Sequence, residues 1–273
     1  MEKKLSRMDE LREKYKNYDF LGEEIKAYNE RYGDLKYINC DICRNKGYIA
    51  INEHNEMKLK KCVCMKQRNV VKQLENCGIP FEKQKEYTFD NIWEQEEWQR
   101  RIKQKAIEYC NEEYKNKWFV IYGLTGIGKT TVCTTIFLDI IKKGYSGKYL
   151  LWNDEISNLI KKKDNFSEYL QEEYDNAMKE FKNVDVLYID DLLKLTSEKK
   201  LIDHLSILYE IINYRYLNNK TTIITTEYTK EQIEKIDLAI AGRIHEKSVN
   251  FELKPIADKS RNQRYKGVVK NEN

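Results

Sequence analysis

Residues 123–130 read Gly-Leu-Thr-Gly-Ile-Gly-Lys-Thr, a complete G-x-x-x-x-G-K-T pattern, placed directly after the apolar run WFVIY and before a stretch of helical character. No other feature limits so severely what the chain can fold into. Phosphate groups are held by backbone N–H donors at close range, so Gly123, Gly126 and Gly128 remove the Cβ atoms that would obstruct the approach. The helix that follows turns its positive end toward the same point. The expected ATP-binding set is Gly123, Leu124, Thr125, Gly126, Ile127, Gly128, Lys129, Thr130 and Thr131. Within it Lys129 reaches the β and γ phosphates and the Thr130 hydroxyl joins a Mg²⁺ shell. The competing reading, a glycine-rich turn with a coincidental lysine, is disfavoured by the strand and helix on either side.

A second apolar run, Val184–Ile189, ends in two carboxylates, Asp190 and Asp191. At a strand tip the first is expected to hold the Mg²⁺ shell, and the second to orient or deprotonate the attacking water. Such a pair points to hydrolysis of ATP. Aspartate is one methylene shorter than the glutamate many ATPases of this layout carry second, so turnover is expected to be slow. The alternative for Asp191 is a cap on the next segment.

Four runs, WFVIY, KYLLW, VDVLYID and TTIITT, alternate with helical stretches beginning near Thr130, Asp154, Lys200 and Thr229. Strands alternating with helices imply an α/β domain with a parallel sheet covered on both faces. The length of 273 residues admits one large or two small domains, and 41% hydrophobic with 34% charged residues describes a core under a heavily charged surface. No apolar run reaches membrane-spanning length and the N-terminus has no apolar signal core, so the cytoplasm is the expected compartment, with no membrane partner.

The first 36 residues are expected to be helical, with Leu21, Ile25, Tyr28 and Tyr32 on one stripe. GYIAI and MKLKKC flank the polar turn Asn52–Asn55 as a hairpin, and Met65–Asn76 reads as helix, stopped by Gly78 and Pro80. The expected organisation is an N-terminal helical and four-cysteine module over 1–76, a linker over 77–96 and an ATPase domain over 97–273. Cys40 and Cys43 form one close pair, Cys62 and Cys64 another, with the hairpin between them. Two such pairs supply four thiolates for a structural Zn²⁺, whose full shell leaves no open position for catalysis. His54 is a possible substitute ligand, and four reduced cysteines are the competing reading. Cys77, Cys110 and Cys133 are spaced like ordinary buried thiols. The net charge of +4 lies beyond Gly242, where eight Lys or Arg stand against four Asp or Glu, a modest excess for nucleic-acid contact.

The order of four-cysteine module, GIP (78–80), TFDN (88–91), GLTGIGKTT, VDVLYIDD, TTIITTEYT and AIAGRIHE resembles the bacterial and phage helicase loaders of the DnaC and DnaI type. These belong to the initiator branch of the AAA+ ATPases. The resemblance implies an ATP-dependent loader that binds the hexameric replicative DNA helicase through its N-terminal module and delivers it to single-stranded DNA. It also implies self-association through the ATP site, with Arg243 in AGRIHE as the arginine completing a neighbour's active site. An ion pair between Arg243 and Glu246 on one helix face is the alternative. Arg261 falls where the family carries a second nucleotide-sensing arginine, with Arg264 close by.

Two departures bear on hydrolysis. The family's sensor strand ends in Ser-Asn or Thr-Asn where this chain has Thr226 and Glu227, leaving Thr226 to sense the γ phosphate, and Leu192-Leu193 replace Leu-Gly after the paired acids. Asp154–Phe181 reads as one long helical stretch, where this branch places an element facing the central channel. Lys161, Lys162 and Lys163 within it are candidate contacts for single-stranded DNA, against a solvated face balanced by Glu168, Glu172 and Glu173. A transposition helper of the IstB type, recruiting a transposase, shares the motifs but not the cysteine module. A small-molecule P-loop kinase would need more arginines than Arg243, Arg261 and Arg264.

Overall fold

The polar turn between GYIAI and MKLKKC closes as a two-residue hairpin loop, with His54 and Asn55 both at left-handed φ (58° and 62°). In the computed structural model, which describes residues 14–16, 18–111, 114–194, 198–255 and 262, the chain divides into two units, Met1–Val71 and Lys72–Asn273. The first unit holds α1 (Phe20–Glu30), β1 (Tyr48–Glu53) and β2 (Glu56–Lys61), and α2 (Cys64–Asn76) begins in it. Asp19 caps α1 by accepting from the Gly22 N–H at 2.8 Å. Of the expected N-terminal helix, 20–30 is realised and residues 1–13 lie outside the described residues. Leu21, Ile25 and Tyr28 are half-buried on α1, whereas Tyr32 lies beyond the helix and is exposed. The Asn29 side chain pairs with Ala50 of β1 in both directions, N–H to O and O to N–H, at 2.9 Å each.

The second unit runs through α3 (Phe81–Gln84), α4 (Glu97–Asn111), β3 (Trp118–Ile121), α5 (Lys129–Lys142), β4 (Gly147–Leu151), α6 (Trp152–Lys163), α7 (Glu168–Asn183), β5 (Val186–Leu192), α8 (Glu198–Leu217), β6 (Thr221–Thr226), α9 (Lys230–Ile236), α10 (Leu238–Ser248) and β7 (Glu252–Leu253). Among the described residues its five strands are all parallel in the order β4-β5-β6-β3-β7, as the alternation of strands and helices implies. Successive side chains divide between two cores. On β5, Leu187 and Ile189 join Trp118, Trp152, Leu208 and Ile244 on one face, while Val186 and Tyr188 join Phe119, Phe137 and Phe251 on the other. No helix among the described residues is long and apolar enough to cross a membrane.

Three local differences from the sequence reading emerge. The stretch Asp154–Phe181 is two helices, α6 and α7, parted at Asp164–Ser167. There the Asn165 side chain accepts from the Ser167 N–H at 2.9 Å, a local bond that competes with helix continuation. Residues 77–96 belong to the second unit, where Cys77, Ile79 and Ile92 are buried in its core and the Gln84 amide donates to Leu74 and Ile79 carbonyls. The short strand β7 completes the sheet edge beside β3.

Candidate functional site

The loop after β3 carries the backbone that the glycine pattern calls for: Gly126 and Gly128 sit at φ 81° and 90°, conformations that L side chains rarely adopt. Gly128 is the N-cap of α5, and among the described residues a Cβ there would meet nothing within 4 Å, which leaves room for a ligand at the helix N-terminus. At Gly126 a Cβ would fall 2.0 Å from the Asn262 carboxamide, which lies over the loop. Lys129 is buried, its ammonium donating to the Gly123 and Leu124 carbonyls at 2.7 and 3.0 Å. Burial pushes that ammonium below its ordinary pKa, against the pull of Glu227 and Asp191.

β5 brings the paired acids to the loop. Asp190 accepts from Thr130 at 3.2 Å, Tyr149 at 3.0 Å, Tyr188 at 2.8 Å and the Thr225 hydroxyl. A register irregularity between Ile189 and Leu192 then turns the chain, with Asp191 at φ 56° and Leu193 at φ 62°. Asp191 is bonded through its N–H to Thr225 at 2.9 Å, and its carboxylate meets Lys194 at 3.0 Å instead of capping a helix. Lys194 also contacts Glu227 at 2.8 Å. Burial pulls the Lys194 ammonium down, but Glu227 and Asp191 outweigh it and hold it above its ordinary value.

The loop, Asp191 and Lys194 line one cavity of about 350 Å³, the volume of a small-molecule site. Thr125–Thr131, Asp191 and Lys194 make its polar side; Ile92, Trp93, Trp98 and Ile102 make its apolar side. The donors fit a nucleoside triphosphate with Mg²⁺: loop N–H groups and Lys129 for phosphate, the adjoining Thr130 and Asp190 for a cation, and an apolar wall for a base. That wall escaped the sequence reading, which assigned 77–96 to a linker, although two tryptophans in a charged stretch were a signal. Tyr149, Tyr188, Thr225 and Lys194 escaped it too, since nothing local marks them.

Thr226 stands differently from expectation. It is fully buried, donating to the Leu192 carbonyl at 3.0 Å and accepting from the Tyr228 N–H at 3.2 Å, so its hydroxyl is committed to backbone. Strand alternation gives the carboxylate-facing position to Thr225. Arg243 makes no pair with Glu246. Its guanidinium donates to Asn213 at 3.0 Å and the Ala239 carbonyl at 2.9 Å, and lies over Tyr209 and Tyr216, while Glu246 takes the Tyr216 hydroxyl. Arg261 and Arg264 lie outside the described residues. Lys161, Lys162 and Lys163 form the last turn of α6; Lys162 pairs with Glu173 at 2.9 Å, and the following Phe166 is 100% exposed.

In the first unit Cys40, Cys43, Cys62 and Cys64 converge, all four sulfurs lying within 4.8 Å of one another. The pairs Cys40–Cys62 and Cys43–Cys64 stand at 3.7 and 3.6 Å, close to the ~3.8 Å edge of a tetrahedron with metal–sulfur bonds near 2.3 Å. The donor set therefore fits Zn²⁺. Buried Arg68 holds the loop that carries Cys40 and Cys43, donating to the Leu35, Lys36 and Ile38 carbonyls and to Asn45, which in turn accepts from the Cys40 N–H. Burial works to raise the Cys43 thiol, but the Gly47 N–H and the neighbouring cysteines bring it down to about 7; burial, opposed by Arg68, lifts Cys64 to about 12. His54 is not among the converging ligands.

Residues 83–249 match the family model of the bacterial DnaA ATPase domain. The chain is similar to the uncharacterized protein YqaM of Bacillus subtilis (strain 168), 28% identical over 71% of this chain and 63% of that one, and so spans less than two thirds of that relative. It is also similar to XkdC of the phage-like element PBSX from the same organism, 26% identical over 78% of this chain and 80% of that one. Among solved structures the DnaC helicase loader superposes with a TM-score of 0.54 at 22% identity, over 63% of this chain and 98% of that chain. At that identity the likeness is one of fold alone: a parallel sheet flanked by helices.

Proposed function

The chain belongs to the bacterial DnaA ATPase-domain family, and from that premise we propose that it is an ATP-controlled loader, binding the replicative DNA helicase and delivering it to single-stranded DNA. One observation carries the reading. Lys129, Thr130, Asp190 and Asp191 meet at the strand ends of an AAA+ sheet, around or beside one cavity, in a chain that also carries a separate four-cysteine unit. A self-contained second unit is what a nucleotide switch needs if it is to report its state to a partner.

In this reading the loop N–H groups and Lys129 hold the phosphates of ATP, and Asp191 orients the attacking water. A Mg²⁺ ion held by Thr130 and Asp190 would neutralise charge on the β and γ oxygens. The shorter acid makes hydrolysis a slow timer. Arg243, from a neighbouring copy, completes the site. Residues 1–76, tied by Zn²⁺ at the four cysteines, grip the helicase, and 97–273 form the ATPase domain. Lys161 and Lys163, with Phe166 beside them, contact single-stranded DNA without reading its sequence, while Lys162 is partly neutralised by Glu173.

The test is light scattering behind size exclusion on a mixture with the host's hexameric helicase, with and without MgATP. A defined complex that is lost when residues 1–76 are removed from the chain supports the loader. No complex in either condition, from protein that still binds ATP, overturns it in favour of another partner such as a transposase. Lys129→Ala is expected to abolish ATP binding while the cysteine unit keeps its metal.

A further inference from the structure

Lys194 lies outside the sequence motifs, yet it occupies the centre of the charged end of the site. An ammonium has three donors. Two of them meet Asp191 at 3.0 Å and Glu227 at 2.8 Å, and the side chain lines the cavity with Lys129 and Thr130. The turn that delivers it is held in an unusual shape. Asp191 and Leu193 are non-glycine residues in left-handed conformation, anchored by the fully buried Leu192 and Leu193 side chains and by the Lys194 N–H bond to the Asp191 carbonyl at 3.0 Å. Glu227 stands on the far side, at the end of β6.

Charge gives this arrangement a purpose. Three carboxylates gather at a place built for a polyanion, against Lys129 and Lys194: Asp191 lines the cavity, Asp190 bonds to Thr130 and Glu227 to Lys194. Without Lys194 the second and third would repel the terminal phosphoryl group. With it, one N–H remains for a phosphoryl oxygen while the other two stay on the acids. A diphosphate, which lacks that group, leaves the clamp as it stands.

We propose that Lys194, positioned by Glu227, is this chain's own ligand for the terminal phosphoryl group, and that it discriminates ATP from ADP. The assignment rests on reading the cavity as a nucleotide site, and it accounts for one departure from the usual pattern: a glutamate at 227 is the partner that a lysine after the paired acids requires.

The experiment is displacement of a fluorescent nucleotide by MgATP and by MgADP, on the full chain, for Lys194→Met, Lys194→Arg, Glu227→Gln and Lys129→Ala. Losing one hydrogen bond to a charged group is expected to lower the preference for ATP over ADP about tenfold in Lys194→Met, leaving ADP affinity within about twofold. Lys194→Arg keeps most of the preference and Glu227→Gln falls between. A Lys194→Met protein that keeps the wild-type preference, or loses both nucleotides equally, overturns the assignment. Should that variant fail to fold, an unchanged preference in Glu227→Gln does so instead. If the unaltered chain binds neither nucleotide, or Lys129→Ala binds both normally, the nucleotide reading itself fails, a distinct result.

Discussion

Thr225 and Thr226 are neighbours on β6, and strand alternation sends their hydroxyls to different tasks. Thr225 bonds to Asp190 and receives the Asp191 N–H, whereas Thr226 is spent on the Leu192 carbonyl and the Tyr228 N–H. The prediction separates them. Thr225→Val should weaken Mg²⁺-dependent ATP binding about fivefold through the acids it holds, while Thr226→Val should cost about 1 kcal/mol of stability and leave nucleotide affinity alone. A magnesium titration of ATP binding beside a urea melt reads both. At the opposite end of the sheet Arg215, fully buried, donates to the carbonyls of Phe181, Lys182, Val184, Asp185 and Thr221 and to the Thr222 hydroxyl, binding the C-terminus of α7 to the starts of β5 and β6. Arg215→Met strands those acceptors away from water and should destabilise the second unit by about 3 kcal/mol or more in the same melt.

At the scale of elements, the gap between α6 and α7 exposes a fully accessible Phe166 next to Lys161 and Lys163. Stacking of a base on an aromatic ring contributes about 1–3 kcal/mol, so Phe166→Ala should weaken oligo-dT binding by about tenfold in fluorescence anisotropy, with the salt dependence unchanged. Lys161→Ala with Lys163→Ala should instead flatten that salt dependence. Had Phe166 no role in DNA contact, its replacement would leave the isotherm where it was. The hairpin and the four sheet runs were legible in the sequence because each is a local apolar pattern bounded by turn residues. The α6–α7 break was marked only by Asp164, Asn165 and Ser167, whose local bonding competes with helix, and the amphipathic pattern on either side hid it. β7 is two residues long and takes its place by pairing with β3, a non-local fact. The convergence of Cys40, Cys43, Cys62 and Cys64 was legible, since close pairs across a hairpin suffice, while the support from Arg68 was not. Its chemistry adds a pH dependence: metal binding needs thiolates, and with Cys43 brought down to about 7 and Cys64 lifted to about 12, protons compete increasingly as pH falls. One zinc per chain should therefore pass to a chromogenic chelator faster at about pH 6 than at about pH 8, and Cys43→Ser should lower the zinc content.

Across the whole molecule, the cavity at the phosphate loop is lined by no arginine among the described residues. Arg243, meanwhile, is fixed elsewhere on α10, clamped by Asn213 and laid over Tyr209 and Tyr216 of α8. A guanidinium held so firmly loses little freedom on meeting a ligand, which suits it to a site offered by another copy. Transfer of charge stabilisation between subunits has a signature that no single-chain role reproduces. Under the proposed function, an Arg243→Ala subunit would keep its own loop and acids but offer its neighbour nothing, while an Asp191→Asn subunit would offer Arg243 but lack its own acid. Each alone should hydrolyse ATP at a small fraction of the normal rate, since an arginine of this kind contributes a factor of about 10³ or more. In an equimolar mixture, random assembly places an Asp191→Asn subunit's arginine against an Arg243→Ala subunit's site at about one interface in four, so about a quarter of the normal activity should return. If Arg243 serves only its own chain, or only the packing of α8 on α10, the mixture gives the average of its components and no more.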